Sequence, residues 1–120
     1  SIVSENKVQA HPASVDSNPS SANQEDHVSM GTTAARKLKV IVGNLYSVLS
    51  FELMAAVQGI ELRGEQEALS PVHEALFQLV RRDVPFMAED HELRVDITAM
   101  NALMRSGEIP TLVHRFLPEL

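Results

Sequence analysis

The sequence predicts an all-α chain, and three observations carry that expectation. A proline-free run from Thr33 to Gln58 repeats its apolar residues at steps of three and four. Ser70-Pro71 pairs a capping residue with a proline at the first position of a second helix. Ser106-Gly107 closes a third with a residue suited to a left-handed C-terminus.

The first 31 residues predict no independent domain. From Gln9 to Gln24 the chain is rich in Ser, Asn and Asp, with Pro12 and Pro19 interrupting any helix. Two readings remain at this point, a disordered tail or a long ordered loop kept because it does something. The domain division expected is therefore a loop segment over 1–31 and a helical segment over 32–120.

The long run is expected to start at a cap on Thr32 or Thr33 and to stop at Gly59. Its apolar set is Leu38, Ile41, Val42, Leu45, Val48, Leu49, Phe51, Leu53, Met54 and Val57. A helix of about 25 residues would measure roughly 38 Å. Val40 to Val57 carries a single formal charge, which raises a membrane span, but Glu52 and Asn44 would be costly in lipid. Burial of one long helix in a bundle is the reading preferred, with no membrane partner. Such a rod needs more partners than this chain supplies, so other chains or a longer polypeptide are expected to cover it.

The second helix, from Ser70-Pro71, is expected to stop before Pro85, with Val72, Leu76, Leu79 and Val80 inward. The third should run from near Val95 to Arg105 on Ile97, Met100, Ala102, Leu103 and Met104. Pro110 and Pro118 predict an irregular final stretch wrapped over a surface. The five Met residues read as core filler.

Charge and composition exclude several functions. With 120 residues, 44% hydrophobic and 22% charged, the chain fits one folded domain at most. Its net charge of −6, distributed as −3 over 1–31, +2 over 32–63 and −5 over 64–120, argues against a nucleic-acid partner. The absence of Cys excludes disulfides and Cys-ligated zinc and suits a reducing, cytoplasmic setting. Ser1 to Lys7 has neither the basic nor the apolar part of a signal peptide. His11, His27, His73, His91 and His114 form no metal-ligand spacing, so no metal is expected. Asp26, His27 and Ser29 have the residue types of a hydrolase triad, but sequence neighbours rarely converge and no elbow glycines flank Ser29.

What remains is the polar string Ser21-Ala22-Asn23-Gln24-Glu25-Asp26-His27-Val28-Ser29-Met30-Gly31. It can be a solvated turn with a helix cap. On physics alone that is the preferred reading, but the string can also hold a carboxylate close to a helix N-terminus, where negative charge is favoured and burial can tune it for proton transfer.

Together with Ser4-Glu5-Asn6-Lys7 and His11-Pro12-Ala13-Ser14-Val15-Asp16-Ser17, that string resembles the aromatic amino acid ammonia-lyases, and within them the histidine ammonia-lyases. Ala34-Ala35-Arg36 and Ala55-Ala56-Val57-Gln58-Gly59 are also similar. Asn18 departs from the pattern, which usually has Ile or Leu there. Glu25 marks the branch, because phenylalanine and tyrosine lyases typically place Gln at this point. A carboxylate suits an imidazole, which offers an N–H and can carry positive charge.

The resemblance implies the C-terminal part of a helical-bundle lyase that eliminates ammonia from L-histidine to give trans-urocanate. It further implies a homotetramer and an electrophilic methylidene-imidazolone built from an internal Ala-Ser-Gly, which is not present in this chain. By the same resemblance Glu25 is the catalytic residue and Ser21 binds substrate, while Asn23 and Gln24 either bind substrate or hold the loop. Asp26 and His27 order the loop. The chain alone is expected to be inactive and to require the N-terminal part of the lyase. A tyrosine or phenylalanine lyase, an aminomutase, or a non-catalytic self-associating fragment are the alternatives.

Overall fold

A computed structural model describes residues 1–14, 20–22, 24 and 29–119. Five α-helices are described: α1 (Ile2–Gln9), α2 (Gly31–Arg63), α3 (Pro71–Asp83), α4 (Arg94–Ser106) and α5 (Glu108–Phe116). A single 3₁₀ turn, Gln66–Ala68, links α2 to α3. Among the described residues there is no β-strand. Contacts fall into two compact units, Ser1–Leu45 and Tyr46–Leu120, so α2 contributes to both.

At 33 residues, α2 is longer than the apolar pattern predicts at both ends. It starts ahead of the expected Thr32 or Thr33 cap. Met30 C=O accepts the first helical bond, from Ala34 N–H at 2.9 Å, and Ser29 Oγ receives Gly31 N–H at 3.4 Å. With these acceptors in place nothing between Gly31 and Thr33 opposes helix. At the other end Gly59 does not terminate the helix. The left-handed residue is Gly64, at φ +69°. Gly64 N–H donates to Glu61 C=O (3.0 Å) and Glu65 N–H to Ile60 C=O (3.2 Å), the paired bonds of a Schellman ending.

These two glycines therefore predict opposite outcomes. A Cβ at Gly59 meets no atom within 4 Å, so Gly59→Ala is expected to stabilise by about 0.5–1 kcal/mol. Gly64→Ala forces alanine into the left-handed region and is expected to cost about 1 kcal/mol. Thermal midpoints of the two variants, measured side by side, check the sign of each.

In Tyr46–Leu120 the core is Val57, Phe77, Val80, Val84, Met100 and Leu103, with Val80 and Met100 fully buried. α3, α4 and α5 pack pairwise around it. Ser70 caps α3 in extended conformation, with Pro71 first inside the helix, and Val84 follows its end just before Pro85. Gly107, at φ +84°, ends α4 and begins α5 at once. The final stretch is thus helical and not irregular as Pro110 suggested. Pro110 sits in the first turn of α5, where a backbone N–H has no helical partner to lose.

The expected burial of α2 is not supplied within this chain. Only Ser50 and Val57 are buried. Leu38, Val42, Leu45 and Leu49, at steps of four, three and four, all stay exposed, the spacing of a seam that takes another helix. α2 is also long and apolar enough to cross a membrane. Its middle, however, is occupied by polar pairs: Asn44 Nδ2 donates to Asn6 Oδ1 at 2.9 Å, and Ser47 and Ser50 hydroxyls donate to Asn101 Oδ1 at 3.3 Å. Such pairing with neighbouring helices suits a bundle element.

Candidate active-site segment

The polar string lies in the Ser1–Leu45 unit, between α1 and α2. α1 was not foreseen. Ser1 stands at its N-cap, Glu5 lies in its first turn and Lys7 in its last, which suits the helix dipole. No residue of α1 is fully buried, and an amide pair, Asn6–Asn44, ties it to α2. Past α1, Lys37 Nζ of α2 donates to the His11 carbonyl. Around that contact His11, Pro12, Ala13, Ala34, Leu38 and Ile41 help to line a cavity of about 200 Å³.

Two of the four expected site residues are described. Ser21 and Ala22 both adopt left-handed backbone, at φ 52° and 55°. Gln24 N–H donates to Ser21 C=O at 3.2 Å, closing a tight turn. Non-glycine residues at positive φ cost of order 1 kcal/mol each and cluster at ligand-binding segments. The side chains of Ser21 and Gln24 are exposed, free to meet a ligand or another polypeptide segment. Glu25 and Asn23, with Asp26 and His27, lie outside the described residues.

The Tyr46–Leu120 unit holds features that sequence reasoning missed. Arg81 of α3 is a hub: Nε donates to Glu61 Oε2 (2.7 Å), Nη2 to Gln58 Oε1 (3.1 Å), and Nη1 to the carbonyls of Val84 (3.2 Å) and Pro85 (3.1 Å). Its guanidinium also lies over the Phe77 and Phe86 rings at 5.6 and 5.8 Å. Gln58 exchanges two hydrogen bonds with the Met87 backbone. These contacts place the α3–α4 loop beside an apolar groove of about 360 Å³, lined among others by Phe51, Met54, Leu62, Pro85, Met87 and Leu93.

At the far end of that loop His91 Nε2 lies 2.8 Å from Asp96 Oδ2, and Nδ1 lies 3.2 Å from Glu89 C=O. The Asp96 hydrogen bond, helped by the Glu89 carbonyl, pushes the imidazole above its ordinary pKa. On the surface Arg82 spans Asp83 and Glu108 and holds both carboxyls below their usual range. None of these groups offers a nucleophile with an adjacent base. Among the described residues no three His, Cys, Asp or Glu side chains come together as a metal site.

A family model described as aromatic amino acid lyase matches residues 1–82. The chain belongs to the aromatic amino acid lyase family. The histidine ammonia-lyase of Symbiobacterium thermophilum is 51% identical over 113 residues, 94% of this chain and 22% of that protein. The crystal structure of histidine ammonia-lyase from Trypanosoma cruzi superposes with a TM-score of 0.84 at 42% identity, covering 96% of this chain and 23% of that one. The tyrosine aminomutase from Streptomyces globisporus gives a TM-score of 0.86 at 36% identity, covering 95% and 22%. The chain thus spans less than a quarter of the length of the relatives it matches.

Proposed function

We propose that this chain is the C-terminal portion of a histidine ammonia-lyase whose whole polypeptide converts L-histidine to trans-urocanate and ammonia. The observation that carries the reading is glutamate at position 25 inside the Asn23–Met30 string, in a chain half identical to a histidine ammonia-lyase. The carboxylate of Glu25 accepts a hydrogen bond from the substrate imidazole or a proton during elimination. Ser21, Asn23 and Gln24 line the substrate around it.

The family's methylidene-imidazolone is an electrophile that activates the substrate for loss of ammonia. The residues here do not fit its formation, since Ala13-Ser14 is followed by Val15 and no Ala-Ser-Gly occurs. The group has to come from polypeptide outside these 120 residues, and so does part of the substrate pocket. The exposed apolar seam of α2 supports assembly, which we take to be a homotetramer in the cytoplasm.

The test is elimination by the full-length polypeptide carrying this segment, followed by the ultraviolet absorbance of the cinnamate-type product. Urocanate from L-histidine, with L-tyrosine and L-phenylalanine turned over at least 100-fold less efficiently, is the expected result. The likeness to tyrosine aminomutase supports a second reading, and preferential formation of a β-amino acid from L-tyrosine would replace the first with it. The separate 120-residue chain is expected to turn over none of the three.

A further inference from the structure

We propose that His91 and Asp96 form a pH-operated clasp that holds the α3–α4 loop against the apolar groove. The geometry suits a doubly protonated ring, because each ring nitrogen faces an oxygen acceptor. Nδ1 faces a carbonyl, Glu89 C=O at 3.2 Å, and Nε2 faces a carboxylate oxygen of Asp96 at 2.8 Å. Both partners only accept hydrogen bonds when Asp96 is ionised. A neutral imidazole has one N–H and must turn a lone pair toward one of these oxygens, whereas an imidazolium satisfies both.

Asp96 is itself nearly buried, in the first turn of α4. The His91 side chain remains 42% exposed, so protons reach it from solvent. The charged groups acting on it from its own loop and α4 are Asp90 and Asp96, both favouring the protonated form. From α3 the charge lining the groove is Arg81, which Glu61 of α2 neutralises at 2.7 Å.

The loop thus has one fastening insensitive to pH near neutrality, Gln58 and Arg81 on Val84 to Met87, and one that titrates, His91 on Asp96. The folded imidazole has a raised pKa, so the clasp is complete below the ordinary histidine value of 6.5 and is lost as pH rises through the raised value. Loss of the clasp frees the loop beyond Met87, on the Leu93 side of the groove, while Gln58 keeps Met87 in place.

The experiment is hydrogen exchange with mass analysis on the purified full chain, from about pH 6 to about pH 9. Protection factors, corrected for intrinsic rates, are read for the loop amides from Ala88 to Leu93 against those of Met100 to Leu103 in the same molecule. The loop-to-core ratio is expected to fall about three- to tenfold with rising pH, and to stay level in His91→Gln, which keeps a donor that does not titrate. A level ratio in the unsubstituted chain, or an equal fall in His91→Gln, overturns the clasp. Should His91→Gln fail to fold, Asp96→Asn takes its place with the same expectation, and the level ratio in the unsubstituted chain remains decisive.

Discussion

Glu25→Gln in the intact lyase is expected to lower kcat/KM for L-histidine by about 100-fold or more, whereas Asp26→Asn lowers it by less than about tenfold. The substitution is close to isosteric, so packing changes little and charge changes fully. A carboxylate in a desolvated site binds an imidazole N–H as a charge-assisted pair. Its neutral replacement forfeits that strength and the ability to take a proton. Asp26, one residue on, shares the charge and the sequence neighbourhood, so it controls for any general effect of removing an acid there. Steady-state kinetics on both variants, with circular dichroism to establish equal folding, decides the matter. Equal losses would remove the special role of Glu25. A loss confined to KM would assign it to imidazole binding, and a loss confined to kcat to proton transfer.

The elements legible in the sequence were those whose ends are decided locally. Ser70-Pro71 and Ser106-Gly107 carry their own stereochemistry, and α3 begins and α4 ends within a residue or so of where those pairs place them. The ends of α2 were misjudged because a glycine inside a helix and one just past it are the same letter. What separates Gly59 from Gly64 is whether the following turn reverses the chain, so that the N–H groups of Gly64 and Glu65 fold back to the carbonyls of Glu61 and Ile60. α1 was overlooked because it has no apolar face to give it a period, its anchor being an amide thirty-eight residues away in Asn44. The helical α5 was hidden by Pro110, a helix breaker everywhere except in the first turn it occupies. The candidate segment stood out in the sequence for another reason. Its residues form one contiguous string, and the string resembles a family. The Arg81 hub and the His91–Asp96 pair left no comparable trace, since their partners are drawn from α2, the loop and α4.

Arg81→Met is expected to destabilise the protein by about 2–4 kcal/mol, the largest stability effect in the Tyr46–Leu120 unit outside the apolar core. The side chain is only 13% exposed, and its partner Glu61 is 28% exposed, so the pair is sheltered well enough for its electrostatics to count. Methionine keeps most of the apolar stem against Phe77 and Phe86 but withdraws five donors at once. Glu61 then retains a sheltered charge without its guanidinium, Gln58 loses one of its partners, and the Val84 and Pro85 carbonyls lose theirs. An uncompensated carboxylate costs more than the pair contributed, so the sign is secure even though a well-packed apolar pair can match an ion pair of this kind. That asymmetry makes the double variant informative. Arg81→Met combined with Glu61→Leu removes the stranded charge and is expected to recover at least half of the loss, a coupling that additive effects cannot produce. The exposed Arg82–Glu108 bridge has the same 2.7 Å distance, yet Arg82→Met is expected to leave the thermal midpoint unmoved, because water already screens both partners. Thermal unfolding of the four proteins tests the ranking. If Arg82→Met proved as damaging as Arg81→Met, shelter from solvent would not be what gives the Arg81 network its strength.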